Sequence, residues 1–149
     1  IGTRDDLNVA AAARVVIADL TYAQNRAIST QKLHYVRFAT TAGAQNYAIR
    51  LSVGSGTDYI EDPINQTSFI RSFGTGGTRG LDLCALDAAS TAFNTYDTIC
   101  FDSLGQPWAV SSTDASTKTL MTTGAVKLTC GAHSLTINIE PYTAEMSIP

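Results

Sequence analysis

The order of apolar and polar positions predicts one long amphipathic helix at the start of the chain, over residues 5–32. Apolar side chains recur there every three or four residues, which places them on one stripe of a 3.6-residue turn, and Asp19 falls mostly outside that stripe. Asp5 and Asp6 are typical of a helix start, and the run contains neither Gly nor Pro. We expect the packing face of this helix to consist of Val9, Ala13, Ile17, Leu20 and Ala27.

After the helix the pattern changes to the two-residue alternation of β-strands. Residues 34–38 and 47–51 alternate, and the turn-rich segment between them contains Gly43, so they form a predicted hairpin. Residues 87–96 are expected to be a loop or a short helical turn. Further strands are expected at 68–73, 81–83, 98–102, 107–111, 118–122, 124–129, 134–139 and 145–148. This layout predicts an α+β fold, with the helix packed on antiparallel β-sheets.

Composition limits the domain organisation. The 149 residues, 44% of them hydrophobic, are enough for one core and too few for two, so we expect a single domain over residues 1–149. The net charge is −3, from 10 basic and 13 acidic residues, which gives no basic field for nucleic acid. No stretch approaches the roughly 18 consecutive apolar residues of a membrane span.

The three cysteines allow at most one disulfide within the chain, and none of them has C-x-x-C spacing. Strand alternation places Cys100 opposite the apolar face of its strand, whereas Cys130 shares the apolar face of its own. This favours a Cys84–Cys100 disulfide and leaves Cys130 as a buried free thiol. A Cys100–Cys130 pair stays open, as do three buried thiols in a cytosolic protein. A disulfide would indicate an oxidising compartment.

Candidates for catalysis are weak. His34 and His133 have no metal ligand or acid partner at a suitable spacing, so structural or surface roles are expected for both. A Cys130–His133 dyad is disfavoured because a cysteine buried on a strand is usually inert. We therefore expect no enzymatic activity.

Two loops are candidate ligand sites by composition. The acidic residues Asp58, Glu61 and Asp62 do not match the spacing of a calcium loop, and a solvated loop is expected there. The glycine-rich segment 74–80 lacks the Lys-Ser/Thr pair and the following helix of a phosphate loop, so it is predicted to be a hairpin loop. The sequence thus predicts neither a cofactor nor a metal.

Short segments carry a resemblance to a known family. Residues 20–28 (LTYAQNRAI) run towards residues 35–38 (YVRF), residues 99–107 read ICFDSLGQP, and residues 135–139 read LTINI. These resemble the helix end, first strand, strand-turn and closing strand of the GspH/FimT family, the minor pseudopilins of type II secretion and minor type IV pilins. The FDSLGxP motif is especially similar to the corresponding segment of minor pilins of mannose-sensitive haemagglutinin pili.

The resemblance implies a pilin-like fold and a structural subunit that assembles, or initiates, a type IV pilus or a type II secretion pseudopilus. It implies an apolar, transmembrane half of the helix upstream of residue 1, and a precursor cleaved by prepilin peptidase. The implied partners are other pilin or pseudopilin subunits and the inner-membrane assembly platform. The implied location is the bacterial inner membrane, with the globular domain in the periplasm, and then the filament.

Partner contacts are expected on two loops chosen for their expected exposure and their glycine or small-residue content, at Gly74, Gly77, Arg79, Thr91 and Asn94. There are two alternative functions. A DNA-binding minor pilin is disfavoured because residues 142–149 contain no Lys or Arg. A pilus-tip adhesin or glycan-binding module could use stacking faces supplied by Trp108, Tyr59 and Tyr96.

Overall fold

The computed structural model describes residues 2–41, 43–54 and 58–149, with the backbone alone for residues 2 and 3. These residues form one α-helix, one short 3-10 helix at Ala88–Ser90, and eleven strands. The helix α1 spans Gly2–Thr30. The strands are β1 (His34–Ala39), β2 (Asn46–Arg50), β3 (Ile70–Ser72), β4 (Ala85–Leu86), β5 (Ala92–Phe93), β6 (Thr98–Phe101), β7 (Pro107–Ser111), β8 (Asp114–Leu120), β9 (Gly124–Cys130), β10 (His133–Ile139) and β11 (Met146–Ser147).

The strands form two antiparallel sheets. The first has the order β3-β2-β1-β6-β7-β8, and the second has the order β11-β10-β9-β4, with β5 also paired to β9. The predicted hairpin is present, with Phe38 opposite Tyr47 in the β1–β2 register. The helix contacts β1 and β6 of the first sheet and β9 and β10 of the second. The predicted α+β class, with one N-terminal helix on antiparallel sheets, is confirmed.

The helix packs on the sheets along most of its length. Its 29 residues span about 43 Å at 1.5 Å per residue. It starts before the predicted residue 5, so Asp5 lies in its first turn and reaches the backbone N–H of Ala132 at 3.5 Å. Gln31 adopts a left-handed φ of 57°, which ends the helix two residues before the predicted boundary. Of the proposed packing face, Val9, Ala13, Leu20 and Ala27 are buried and Ile17 is half-buried.

The core lies between the helix and the two sheets. Phe38 links the sheets, since its ring centroid lies 5.1 Å from that of Tyr47 and 5.5 Å from that of Phe93. A smaller cluster covers the other face of the first sheet, where Tyr35, Cys100 and Val110 pack together. The first sheet therefore buries apolar side chains on both faces.

Segment 81–83, predicted as a strand, forms turns instead. Leu81 donates its N–H to the carbonyl of Thr78 at 2.9 Å, and Cys84 donates to the carbonyl of Leu81 at 3.2 Å. These local hydrogen bonds replace a strand ladder.

The disulfide joins Cys84 to Cys130, across a sequence separation of 46 residues, and Cys100 is a buried free thiol. The predicted Cys84–Cys100 pair is therefore wrong, and so is the predicted free thiol at Cys130. The alternation on the strands was read correctly, but the face that carries Cys100 is covered by the smaller apolar cluster. Cys84 instead directly precedes β4, which pairs with β9 so that Ala85 lies opposite Thr129, and this brings Cys84 next to Cys130.

Loss of this disulfide is expected to lower the free energy of unfolding by about 2–4 kcal/mol, because the cross-link restricts the unfolded chain. The measurement is urea unfolding of the Cys84→Ser/Cys130→Ser double variant against the oxidised parent chain. Reductant should destabilise the parent and leave the double variant unchanged. A chymotryptic map of the unreduced protein that linked Cys84 to Cys100 would contradict the observed pairing.

Candidate functional site

The main concentration of buried charge lies where α1 meets the first sheet. We call it the Arg71 cluster, and it consists of Asp19, Tyr47, Asp62 and Arg71. Arg71 donates from Nε to Asp19 Oδ2 at 3.1 Å and from Nη1 to Asp62 Oδ2. The Tyr47 hydroxyl donates to the same oxygen of Asp19 at 2.5 Å. Each buried charge in the cluster therefore has an opposite charge or a hydrogen-bond donor beside it.

Four separate segments bring these side chains together. Asp19 lies on α1 and Asp62 in the loop between β2 and β3. Tyr47 on β2 and Arg71 on β3 are cross-strand neighbours in the antiparallel register. The Arg71 guanidinium also lies over the ring of Phe69, 4.0 Å from its centroid. The cluster thus fastens the helix to the edge of the first sheet.

The pKa values of the two carboxyl groups are shifted in opposite directions. Burial raises the pKa of Asp19, and the hydrogen bonds from Tyr47 and Arg71 offset this only in part. Burial also raises the pKa of Asp62, but hydrogen bonds from Arg71 and from the N–H of Ile64 outweigh it and leave that pKa below its ordinary value. Burial and the neighbouring Asp19 charge raise the pKa of Tyr47 well above its ordinary range. Asp62 is therefore the more firmly ionised partner of Arg71.

A groove of about 490 Å³ opens beside the cluster. Asp19, Asp62 and Arg71 line it together with Val15 and the exposed Ile64. The side chains of Asp19, Asp62 and Arg71 are already bonded to one another. The arrangement therefore suits a structural tie better than acid–base chemistry.

This cluster was not predicted from the sequence. Asp19 was expected outside the buried stripe and Asp62 in a solvated loop, whereas they are only 8% and 1% exposed. Asp58 is also engaged, since one of its oxygens lies 3.2 Å from Arg50 Nη2. One signal was available: Asp19 follows the buried Val16 by three residues and precedes the buried Ala23 by four, which is core spacing on a helix.

The stability of the chain should fall on acidification, with Asp62 as one cause. Because the pKa of Asp62 in the folded state lies below the ordinary 3.8, its ionised form stabilises the fold above that pH, and this is lost as the pH falls through the folded pKa. Urea unfolding at neutral pH and at about pH 3 measures the loss. Asp62→Asn should be less stable than the parent at neutral pH and should lose less on acidification. The exposed Asp82→Asn serves as the control, and an unchanged acid loss in Asp62→Asn would contradict this assignment.

The two histidines lie in different environments. His133 Nδ1 is 2.6 Å from Asp6 Oδ1, so the expectation that it has no acid partner is wrong. The partner is distant in sequence and is brought near when the first turn of α1 meets the β9–β10 turn. The disulfide of Cys130 excludes the Cys130–His133 dyad in the oxidised chain. His34 is buried, and its Nδ1 lies 3.0 Å from the carbonyl oxygen of Lys32.

The first loop proposed for partner contacts keeps one exposed charge. Arg79 is exposed, and Gly74 adopts a positive φ of 85°. Gly77 is held inside the loop, because a Cβ there would lie 2.4 Å from the carbonyl oxygen of Ser72. Arg79 is thus the side chain of this loop best placed to reach another molecule.

The second loop is used internally, which corrects the expected exposure of Thr91 and Asn94. Thr91 is buried, and its hydroxyl accepts the N–H of Lys127 at 3.1 Å. Asn94 Oδ1 accepts the N–H groups of Thr122 at 2.9 Å and Thr123 at 3.2 Å. Both side chains satisfy backbone donors near β9, which is a structural role.

The aromatic residues predicted as stacking faces for a glycan contact other side chains of the chain. Lys118 Nζ lies 4.6 Å from the ring centroid of Trp108. The Arg50 guanidinium lies 5.3 Å from the ring centroid of Tyr59, and Tyr96 packs against the main core. Cations therefore already occupy positions over two of the three rings.

The end of α1 meets the turn between β6 and β7. Gln24 Nε2 donates to the carbonyl of Gly105 at 2.9 Å and to that of Thr143 at 3.1 Å. Gly105 has a φ of 82°, and a Cβ there would lie 2.9 Å from Ile28 Cδ1. This contact joins the C-terminal third of the helix to the first sheet and to the C-terminal segment.

Comparisons with models of protein families, with curated protein sequences and with solved structures found no match to this chain. Within the residues that the structure describes, no three His, Cys, Asp or Glu side chains are grouped so that they could hold a metal ion. In the same residues, no helix combines the length and the hydropathy needed to cross a membrane.

Proposed function

We propose that the chain is a structural, non-enzymatic subunit of a bacterial filament, a minor pilin or pseudopilin with a pilin-like fold. The observation that carries the proposal is a contact between separate segments. The helix end 20–28 and the strand segment 35–38 are close in sequence, and they pack as one unit with the distant strand-turn 99–107. These are the segments whose sequences resemble the GspH/FimT family.

The unit is built by strand pairing and by one turn. Strands β1 and β6 are neighbours, with Val36 opposite Ile99. The turn after β6 is held by Asp102, whose Oδ1 accepts the N–H groups of Leu104 and Gln106 at 2.9 Å each. That turn brings Gly105 under the helix end. The side chains that carry the resemblance therefore have connected structural roles. This supports a common fold with the family over a chance similarity of short sequence motifs.

In the proposed subunit, the globular domain supports a helix that continues upstream into an apolar half. That half would lie in the inner membrane before assembly and among the helices of other subunits afterwards. Prepilin peptidase would process the precursor, and the assembly platform would receive it. The exposed Arg79 in loop 74–80 is the proposed contact with a neighbouring subunit.

The coding sequence upstream of residue 1 in the parent gene is the first test. The proposal expects a short basic leader that ends in glycine, followed by about 20 apolar residues, the length of a membrane span, with Glu at the fifth position. A conventional signal peptide, or another folded domain in that place, would overturn it.

A second test examines assembly in the parent organism. Deletion of the gene should reduce surface pili or type II secretion, and the parent gene should restore them. Complementation with Arg79→Glu should restore less, at equal protein levels on an immunoblot. Normal pili and normal secretion in the deletion strain would contradict the proposal.

A further inference from the structure

A groove of about 310 Å³ lies at the C-terminal end of α1, between the helix end, the start of β1 and the segment 59–61. Three basic side chains line it, those of Arg26, Lys32 and His34, together with those of Tyr59 and Glu61. The groove is separate from the Arg71 cluster.

The cations of the groove are not neutralised within the described part of the chain. Arg26 and Lys32 are exposed, and neither side chain has an ion pair or hydrogen bond with another described residue. By contrast, Arg71 lies between two carboxylates. With His34 neutral, two positive charges in the groove face the single negative charge of Glu61. The groove therefore has a net positive charge that favours an anion.

His34, which lines the groove, has one ring nitrogen engaged with the backbone of the described residues and one that is not. The residue is 1% exposed, and its Nδ1 lies 3.0 Å from the carbonyl oxygen of Lys32. A carbonyl can only accept, so Nδ1 carries the hydrogen and Nε2 of the neutral ring has the lone pair. No described residue forms a hydrogen bond with Nε2. Protonation of the ring would make Nε2 a charged donor.

The surroundings favour the neutral form of that ring. Burial lowers the pKa of His34, the hydrogen bond to the Lys32 carbonyl opposes this, and the charges of Arg26 and Lys32 lower the pKa further. The facing titratable groups are Arg26 from α1, Lys32 from the turn after it, and Tyr59 and Glu61 from segment 59–61. Phe101, opposite His34 on β6, does not titrate. A bound anion would offset the two cations and accept a hydrogen bond from protonated Nε2.

We propose that this groove binds one oxyanion, a sulfate- or phosphate-like group or a carboxylate. Arg26 and Lys32 supply the attracting charge, and His34 donates from Nε2 after taking up a proton. Binding is therefore coupled to protonation, and affinity rises as the pH falls through the pKa that His34 has in the complex, which the anion raises above the lowered pKa of the free chain. This inference does not depend on the proposed filament function.

The test is an NMR titration of the 149-residue chain with inorganic sulfate, whose charge stays constant over the pH range used. Sodium chloride holds the ionic strength fixed, because screening would otherwise mimic a loss of binding. The signals followed are the backbone amides of Lys32 and His34 and the His34 ring. Saturable shifts are expected, with tighter binding at about pH 5.5 than at about pH 8, and sulfate should raise the pKa of His34.

Three variants identify the residues that act. Arg26→Gln and Lys32→Gln should each weaken binding by about fivefold, as expected for loss of one charged contact near the surface. Arg14→Gln removes an exposed charge from the same helix and should change the affinity by less than about twofold. His34→Gln should keep binding and remove its pH dependence.

A parallel titration with acetyl-glutamate amide tests the source of the anion, since it presents a single carboxylate like that of a protein side chain. Tighter binding of sulfate would assign the groove to tetrahedral oxyanions, and tighter binding of the carboxylate would assign it to an acidic side chain. No saturable shift with either probe, or equal affinity in Arg26→Gln, Lys32→Gln and the parent chain, would overturn the proposal. A pH dependence that persists in His34→Gln would overturn the role of His34.

Discussion

Leu20→Asp is expected to unfold the domain. Leu20 lies on the buried face of α1 and has no exposed surface. Loss of a buried leucine side chain costs about 2–5 kcal/mol, and the unpaired carboxylate adds the cost of burying a charge. That sum approaches the entire stability of an ordinary domain, about 5–15 kcal/mol. Circular dichroism should show loss of the native spectrum and no cooperative thermal transition.

The neighbouring Thr21→Asp is the matched control, because Thr21 is exposed on the same helix. It receives the same charge one residue away and should change the free energy of unfolding by no more than about 0.5 kcal/mol. A melting temperature of Leu20→Asp equal to that of the parent chain would show that this face of the helix is not packed on the sheets.

Arg71→Met should lower the free energy of unfolding by about 3–5 kcal/mol. Methionine is long and unbranched like the stem of arginine, so it fills much of the same space without the charge. The substitution would leave Asp19 and Asp62 buried without the guanidinium that they share. Urea unfolding measures the loss, and the slope of the transition should stay unchanged if the fold is intact.

Arg79→Met tests whether loss of any arginine has this effect. Arg79 is exposed, so its replacement should cost no more than about 0.5 kcal/mol. Adding Asp19→Asn and Asp62→Asn to Arg71→Met should recover part of the loss, because the stranded charges are then removed. A cost below about 1 kcal/mol for Arg71→Met would mean that the carboxyl groups find other partners or protonate.

Local patterns predicted the longer elements well. The strand 107–111 has the predicted bounds, and the hairpin of β1 and β2 forms in the expected region. The two-residue strands β4 and β5 were not predicted, because an alternation needs more than two positions to be visible. They exist through pairing with β9, which is a long-range property.

The site was less predictable, because its partners come together only in three dimensions. Asp19 and Arg71 are 52 positions apart, and nothing local shows that a short strand will carry a cation to the helix. The pairing of Asp6 with His133 is a similar case, since it depends on where the β9–β10 turn meets the helix start. The predicted pairing of Cys100 was wrong for another reason. Strand alternation identifies the face on which a side chain lies, but it does not show whether a second apolar cluster covers that face.

The disulfide has a mechanical consequence. Cys84 and Cys130 enclose residues 85–129, which include β6, β7 and β8 of the first sheet. Tension applied to the two ends of the chain passes through the sulfur bridge and bypasses this loop. Its separation of 46 residues corresponds to about 150–165 Å of extended chain, at 3.3–3.6 Å per residue. Under load the oxidised chain cannot extend by that length, whereas the reduced chain can.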